Sequence, residues 1–165
     1  MEIRQLGPDD AEAYFALRLE ALQTNTEAFG SSYEEEKDYP LSRTQSRLSD
    51  PASYVCGAFV EKDLVGVVTL MRETKKKLSH RANIYAVYVT PKCRGKGVAK
   101  HLLKATIEKS RDLQGIEQVY LAVVAENAAA KKVYQAFGFE TYGIDRKAIK
   151  INGKYYDEEL MVLFL

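Results

Sequence analysis

The feature that most constrains this fold is an uncharged apolar segment followed at once by a basic turn and an amphipathic helix. Ala82–Val89 contains no charged residue, and apolar side chains occur at both alternating sets of positions. Such a segment predicts a strand covered on both faces of a sheet. Thr90–Pro91 ends the strand. Gly97–Asp112 then has the apolar spacing of a helix, with a predicted buried side formed by Val98, Leu102, Leu103, Ala105 and Ile107.

Short turns between apolar runs predict two antiparallel hairpins. Tyr54–Val60 and Leu64–Met71 are separated only by Glu61–Asp63, which is hairpin spacing. Asn152–Gly153 lies between two strand-like segments near the end of the sequence and is its strongest short hairpin signal. Alternating or apolar runs predict two further strands, at Glu2–Leu6 and Gln118–Val124.

Two more helices and one polar segment complete the predicted order. Gly7–Asp10 ends the first strand and offers an N-cap to a helix with a predicted buried face, formed by Ala11, Phe15, Leu19 and Leu22. The polar stretch Thr24–Asp50 predicts a loop with one short helix. A last helix is predicted from Asn127, a good N-cap, to Gly138, a good C-cap. The order β-α-α-β-β-β-α-β-α-β-β predicts an α/β fold of the α+β kind around one mixed sheet.

Length and composition limit the classes of protein that this chain can represent. Its 165 residues suit one domain, residues 1–165, and the net charge of +1 gives no general attraction to nucleic acid or membranes. Cys56 and Cys93 are too few for a disulfide scaffold and lack zinc-site spacing. The acidic start is unlike a signal peptide, and no apolar run is long enough to span a bilayer. We therefore expect a cytoplasmic protein that binds no metal, membrane or nucleic acid.

The turn before the central helix is a candidate phosphate site. Gly95 and Gly97 lack a Cβ that would hold an anion away from the backbone, and the start of a helix offers free N–H groups and a positive dipole end. The alternative is a glycine turn with a solvated basic face. The turn matches no P-loop, and Lys100 occupies the place of the third small residue of a dinucleotide fingerprint. Pro91–Lys104 contains no acidic residue, and its basic residues are Lys92, Arg94, Lys96, Lys100 and Lys104.

Two motifs in this order resemble those of the GNAT superfamily of acyl-CoA-dependent N-acyltransferases. Arg94, Gly97 and Ala99 fit its [R/Q]-x-x-G-x-[G/A] pattern, and Asn127–Phe139 fits its N-x-x-A-x-x-x-Y-x-x-x-G-F segment. The resemblance covers essentially the whole chain and implies a mostly antiparallel mixed sheet flanked by about four helices. It also implies an acetyl-CoA site that includes the end of the central strand, the basic turn and the last helix, namely Val87, Tyr88, Val89, Arg94, Gly95, Lys96, Gly97, Val98, Ala99, Asn127, Ala130 and Tyr134.

The implied reaction moves an acetyl group from acetyl-CoA directly to an amine, and it needs a proton donor and a base. The resemblance makes Tyr134 the general acid and gives the backbone N–H of Tyr88 or Val89 the oxyanion. Many relatives carry Glu at the position of Asn83, and Asn cannot accept the proton. Cys93 is discounted as a nucleophile because direct attack needs no acyl-enzyme, and Cys56 is expected to be an inert core thiol. The candidate bases remain a water relay or one of Glu34, Glu35, Glu36, Tyr85, Glu126, Asp157 and Glu158.

The acceptor depends on segments with weak signals: Thr24–Asp50, Arg72–His80 and the final hairpin. Glu34–Glu36, with Tyr33 and Tyr39, is either a solvated surface or a site for a cationic amine, and Tyr155–Asp157 is a candidate for the same opening. We expect a polyamine, an amino acid or a related primary amine. The alternatives are a protein N-terminus or lysine, or a non-catalytic acyl-CoA-binding module, which Asn83 favours. The C-terminal sheet edge is also a candidate interface for a homodimer.

Overall fold

The computed structural model describes residues 1–165 and confirms an α/β fold built on one mixed sheet. Short 3₁₀ turns at residues 8–10, 26–28, 76–78 and 91–93 join some of its elements. The helices and strands are β1 (Glu2–Gln5), α1 (Ala11–Thr24), α2 (Tyr33–Glu36), α3 (Leu41–Leu48), β2 (Ser53–Val60), β3 (Asp63–Arg72), β4 (Arg81–Val89), α4 (Val98–Asp112), β5 (Gln118–Val124), α5 (Ala128–Ala136), β6 (Glu140–Ile151) and β7 (Lys154–Phe164).

The seven strands lie in the order β1-β2-β3-β4-β5-β7-β6. Only β4 and β5 are parallel, and every other neighbouring pair is antiparallel. Both predicted hairpins are confirmed, since β2 pairs with β3 and β6 pairs with β7. Asn152 and Gly153 take φ angles of 48° and 83° at the second turn, the two positive φ values that a tight type I′ turn requires.

The sheet splits in the middle, between its only two parallel strands. β4 and β5 pair over just three residues each, from Arg81 with Gln118 to Asn83 with Tyr120. Beyond this point a bulge bends β4, because Val67 faces Tyr88 while Thr69 faces Tyr85. Two residues of β4 therefore oppose one residue of β3, and Ala86 takes a φ of 52°. The bent half of β4 leaves an open cleft beside β5.

Each face of the sheet carries its own apolar core. On one face α4 packs against β2, β3 and β4 through Val98, Leu102, Leu103 and Ile107, as predicted, whereas Ala105 is only half-buried. On the other face α1 and α3 pack against the sheet, and Tyr88 points into that core. These two layers hold the split sheet from both sides.

Three local predictions need correction. The buried residues of α1 are Ala11, Tyr14, Leu17, Ala21 and Leu22. Phe15 and Leu19 are only partly buried, because Tyr14 and Leu17 face the core in their place. Residues 24–50 form two helices and a 3₁₀ turn, not one helix. The strand β4 is not covered on both faces, since the split leaves Tyr85 50% exposed.

Candidate active site

Two cavities open along the split between β4 and β5. The first, of about 490 Å³, lies against the turn before α4, and we call it the loop cavity. The second, of about 520 Å³, lies between β4, β5 and β6, and we call it the split cavity. They share five lining residues, so they adjoin along the split. The shared residues are Ala28, Phe29, Val87, Asn127 and Ala130.

The loop cavity ends on the two glycines of the basic turn. Gly95 and Gly97 have φ angles of 75° and 81°, and a Cβ at Gly95 would meet no atom within 4 Å. The turn therefore leaves open space at the start of α4, where backbone N–H groups have no helical partner. Such a place suits a phosphate oxygen. The neighbouring cations Lys92, Arg94, Lys96, Lys100 and Lys104 are all exposed around it.

Most residues of the expected acetyl-CoA site line this cavity. Lys96 does not line it, and Tyr134 lines the split cavity beyond it. Asn127 accepts a hydrogen bond from the Ala130 N–H at 3.1 Å and so begins α5 as an N-cap. The residues that do line the loop cavity are Val87, Tyr88, Val89, Arg94, Gly95, Gly97, Val98, Ala99, Asn127 and Ala130.

Arg94 joins three elements at the mouth of the loop cavity. Its Nε donates to the Val89 carbonyl at 2.9 Å, and its Nη2 donates to Oδ1 of Asn25 at 2.5 Å. Asn25 follows directly after α1 and also lines the cavity. The side chain thus fixes the end of β4 and the residues after α1 around the turn. The sequence carried no sign of Asn25, Ala28 or Phe29, which lie in the polar stretch predicted as loop.

The split cavity contains a buried tyrosine and a half-buried carboxyl group. Tyr134 is only 6% exposed, and burial alone raises the pKa of its hydroxyl to about 12. Glu158 lines the same cavity from β7. Burial first, and then the charge of Asp145 opposite it on β6, raises the pKa of Glu158 above its ordinary value. Tyr85 also lines the cavity, and burial raises its pKa. The cavity thus places a weak acid and an ionisable carboxyl together.

The structure separates the other candidate bases from this cavity. Glu34 is paired with Lys37 at 2.6 Å, and Glu35 accepts from the backbone and hydroxyl of Ser32 as a helix cap. Glu126 is exposed and lies 4.0 Å from Lys154. Asp157 accepts the Lys147 N–H at 2.8 Å.

Glu36 is bound to Arg18 by two hydrogen bonds, at 2.7 and 3.0 Å, and this contact lowers its pKa. It does not line the split cavity. The acidic run Glu34–Glu36 is therefore occupied by internal contacts, which removes the basis for expecting it to attract a cationic amine.

Asn83 lies outside both cavities. Its Nδ2 donates to Oε1 of Glu73 at 2.9 Å, and neither residue lines the split or the loop cavity. The residue that replaces the common family Glu is therefore part of a local contact between β4 and the end of β3. A carboxyl group reaches the cavity from another strand, through Glu158.

The remaining chemistry-bearing groups of the sequence are inert or lie at the margin. Cys56 is buried, and burial raises the pKa of its thiol. Cys93 lines the loop cavity and is half-buried against the α4 core. No group of three or more His, Cys, Asp and Glu side chains is placed to hold a metal ion. None of the helices combines the length and apolar character that crossing a membrane would demand.

Comparison with known proteins identifies the family. The profile of the acetyltransferase (GNAT) family matches residues 18–139. L-amino acid N-acetyltransferase AaaT of Escherichia coli is 32% identical over 118 residues, which are 71% of this chain and 72% of that protein. A mycothiol acetyltransferase of Brachybacterium faecium is 33% identical over 139 residues, 82% of this chain but 39% of that protein. A GNAT-family acetyltransferase structure from Streptococcus pneumoniae matches with a TM-score of 0.85 and 23% identity, over 99% of both chains.

The chain belongs to the GNAT acetyltransferase family. It is an acetyl-CoA-dependent N-acetyltransferase, as the resemblance of its two motifs implies.

Proposed function

We propose that residues 1–165 act as one domain that transfers the acetyl group of acetyl-CoA to the primary amine of a small molecule. The observation that carries this proposal is that the two cavities adjoin, which puts a phosphate-type cradle next to an acid–carboxyl pair. The two relatives are named for different acceptors, L-amino acids and mycothiol. Family membership therefore does not define the acceptor. The acceptor has to be inferred from the residues of the split cavity.

The donor binds, in this proposal, along the loop cavity. The turn Arg94–Ala99 surrounds the pyrophosphate, with Lys96 as an exposed cation outside the cavity wall. The end of β4, Val87–Val89, lines the cavity and faces the pantetheine arm across the split, and Asn127 and Ala130 lie on the other side. Backbone N–H groups and the basic cluster supply the positive potential that a diphosphate requires.

Tyr134 serves as the hydrogen-bond donor to the departing sulfur. Its hydroxyl makes no hydrogen bond within the protein, and burial alone determines its raised pKa. A phenol with a pKa of about 12 remains protonated throughout the working pH range. It therefore presents its proton to the thiolate as the C–S bond breaks.

Glu158 is the base in this proposal. An alkylamine with a pKa near ~10.4 is about one part in a thousand neutral at pH 7, so removal of its proton matters by up to ~4 kcal/mol. Glu158 lies in the same cavity as Tyr134, and its raised pKa makes it a stronger base than an exposed carboxylate. Glu158 takes a proton from the ammonium, and the freed lone pair attacks the thioester carbon. As the tetrahedral intermediate collapses, the C–S bond breaks, the thiolate leaves towards Tyr134, and the second proton of the nitrogen passes to solvent.

The alternative functions make different demands on the cavity. A sensing module would bind acetyl-CoA without turnover, and its sequence support came from Asn83, which lies outside the cavity. A protein N-terminus or lysine would enter the same split as an extended segment.

Thiol release from acetyl-CoA tests these options with a panel of amino acids, polyamines, aminoglycosides and short peptides. Acceptor-dependent release supports the proposal when Gly97→Glu, which places a carboxylate in the cradle, abolishes it. Gly7→Glu is the matched control, because a side chain at Gly7 has open space and Gly7 lines neither cavity. Tight binding of acetyl-CoA without release by any acceptor would instead identify a sensing module. Release with peptides alone would identify a protein acetyltransferase.

Two finer expectations stay predictions. β6 is the edge strand of the sheet and carries exposed Tyr142 and Ile144, the kind of edge at which a second copy can pair. Sedimentation velocity decides whether the chain is a homodimer. A cytoplasmic location is supported by two free cysteines, Cys56 and Cys93.

A further inference from the structure

Two arginines line the split cavity on the side formed by the N-terminal helices. Arg18 comes from α1 and Arg47 from α3, and Ser31 lies with them in the cavity wall. Glu27, on the 3₁₀ turn after α1, is an acidic neighbour in the same cavity. Glu27, Ser31 and Arg47 lie in Thr24–Asp50, one of the segments expected to determine the acceptor. None of them belongs to the proposed donor site or to the acid–base pair.

The two arginines differ in their partners. Arg18 forms an ion pair with Glu36. Both side chains are only 11% exposed, and their closest atoms lie 2.7 Å apart. Arg47 makes no ion pair with any carboxylate of the protein. Its guanidinium carbon lies 5.9 Å from the centre of the Tyr14 ring. Arg47 is therefore a cation of the cavity wall with no carboxylate at ion-pair distance, and its charge contributes only a minor part of the lowered pKa of Glu36.

A second unpartnered group lies beside Arg47. A smaller cavity of about 320 Å³ adjoins the split cavity and shares Arg18, Ser31 and Arg47 as walls, and Tyr14 lines it. Tyr14 is 3% exposed, and its buried hydroxyl has no hydrogen-bond partner. A buried hydroxyl without a partner is uncommon, because the lost hydrogen bond costs free energy. An anionic ligand group on Arg47 would bring hydrogen-bond acceptors to this corner.

We propose that the acceptor is a zwitterion, a free amino acid or a similar small molecule that carries a carboxylate near its primary amine. Arg47 binds the carboxylate, and Glu158 takes the amine. The inference rests on the proposed acetyl transfer and names its substrate class. A guanidinium fork suits a carboxylate because two parallel N–H groups meet its two oxygens.

The position of Arg47 argues against a polycationic acceptor. A polyamine would bring a further positive charge towards Arg47, whereas Arg18 is already paired with Glu36 and the acidic run Glu34–Glu36 is engaged elsewhere. Within the cavity wall, the carboxyl groups are Glu27 and Glu158. A zwitterion matches both signs, with its amine towards Glu158 and its carboxylate towards Arg47.

The test compares each L-amino acid with its amide and with the amine that lacks the carboxyl group, by thiol release from saturating acetyl-CoA. The amide amine is the weaker base, so the fraction of neutral amine favours the amide. A preference for the free acid must then come from recognition of the carboxylate. We expect kcat/KM for the best amino acid to exceed that of its amide by about 10- to 100-fold, the usual range for a hydrogen bond to a charged group.

Arg47→Gln is the informative variant. We expect it to remove this preference by lowering kcat/KM for the amino acid about 10- to 100-fold, with unchanged values for the amide and an unchanged KM for acetyl-CoA. Arg47→Lys should restore part of the preference. Arg111→Gln, at the exposed far end of α4, is the matched control. Arg18 is a poor target because its loss would leave the buried Glu36 without a partner.

The outcomes separate the two proposals. A kcat/KM for the amide or the amine that equals or exceeds that of the amino acid would contradict the proposal of a zwitterionic acceptor. It would leave the proposal of acetyl transfer unaffected. A carboxylate preference that survives in Arg47→Gln would overturn the role of Arg47. No release with any acceptor, with acetyl-CoA bound, would overturn the proposed function itself. Thermal melting of Arg47→Gln at the wild-type temperature shows that a loss of activity is not a loss of fold.

Discussion

Replacement of Tyr134 by Phe tests whether the buried hydroxyl transfers its proton fully or only shares it. The pKa of this phenol is about 12, roughly 3.5 pKa units above a free thiol near ~8.5. At about 1.36 kcal/mol per unit, complete transfer from the phenol to the thiolate costs roughly 5 kcal/mol. A shared hydrogen bond to the developing thiolate avoids that cost and contributes about 1.5–3 kcal/mol.

We therefore expect Tyr134→Phe to lower kcat by about 10- to 100-fold, not to abolish it. The variant should fold as the wild type does, because the hydroxyl makes no hydrogen bond within the protein and the ring packs with Phe139 in the core. The KM for acetyl-CoA should change little, since Tyr134 does not line the loop cavity.

Steady-state thiol release from pH 6 to 10 provides the assay, with thermal melting as the check on folding. A kcat equal to the wild-type value would show that the hydroxyl has no part in the reaction. Complete loss in a folded variant would show that full proton transfer limits the rate. A fall in the wild-type kcat between pH 8 and 9 that is absent in Tyr134→Phe would contradict the pKa assigned to the phenol.

Three further substitutions test the base, the turn and the buried ion pair. Glu158→Gln should lower kcat/KM about 10²- to 10⁴-fold and remove its rise with pH, whereas Glu126→Gln should change neither. Burial raises the pKa of Glu158 in the folded protein, so ionisation of this carboxyl destabilises the fold once the pH exceeds its pKa in the unfolded chain. The melting temperature of Glu158→Gln should therefore be higher than that of the wild type at pH 8 and equal to it at pH 4. Gly97→Ala should cost about 1–2 kcal/mol in urea unfolding and raise the KM for acetyl-CoA, while Gly7→Ala, at a φ of −118°, should do neither. Glu36→Ala should cost about 3 kcal/mol by leaving Arg18 unpaired. That difference should shrink as pH falls below 4, because Arg18 lowers the pKa of Glu36.

The parts of the site that depend only on residues adjacent in the sequence were predictable. Gly95 and Gly97 were singled out as residues that permit close approach, and both take positive φ angles directly before α4. The capping role of Asn127 is confirmed by its hydrogen bond to the Ala130 N–H. These features are local, so the residue types themselves carry the information.

The bulge in β4 had no such signal. Ala86 adopts a φ of 52°, although nothing in an alanine favours the left-handed region. The bulge arises from the unequal register with β3 between Val67 and Thr69. A register between two strands depends on the whole packed sheet, and the apolar run 82–89 predicted only a regular covered strand.

The three neighbouring acids of β7 show the same limit. Alternation along a strand predicts that Asp157 and Glu159 share one face and that Glu158 lies on the other. It does not predict which face meets a cavity. Asp157 binds the Lys147 N–H, Glu159 binds Lys131 at 2.7 Å, and Glu158 alone lines the split cavity. The pairing of β7 with β5 and β6 determines which contacts each of these three side chains makes.

Burial raises the pKa of both members of the acid–base pair, yet their roles remain distinct. The same cavity raises the pKa of the Glu158 carboxyl and of the Tyr134 phenol, because each loses hydration of its charged form. The two groups start near 4.5 and 10.0, so a shift in the same direction preserves the order between them. At neutral pH the carboxyl accepts a proton and the phenol keeps its own. The same cleft thus provides a stronger base and a persistent hydrogen-bond donor, and the nearby charge of Asp145 raises the pKa of the base further.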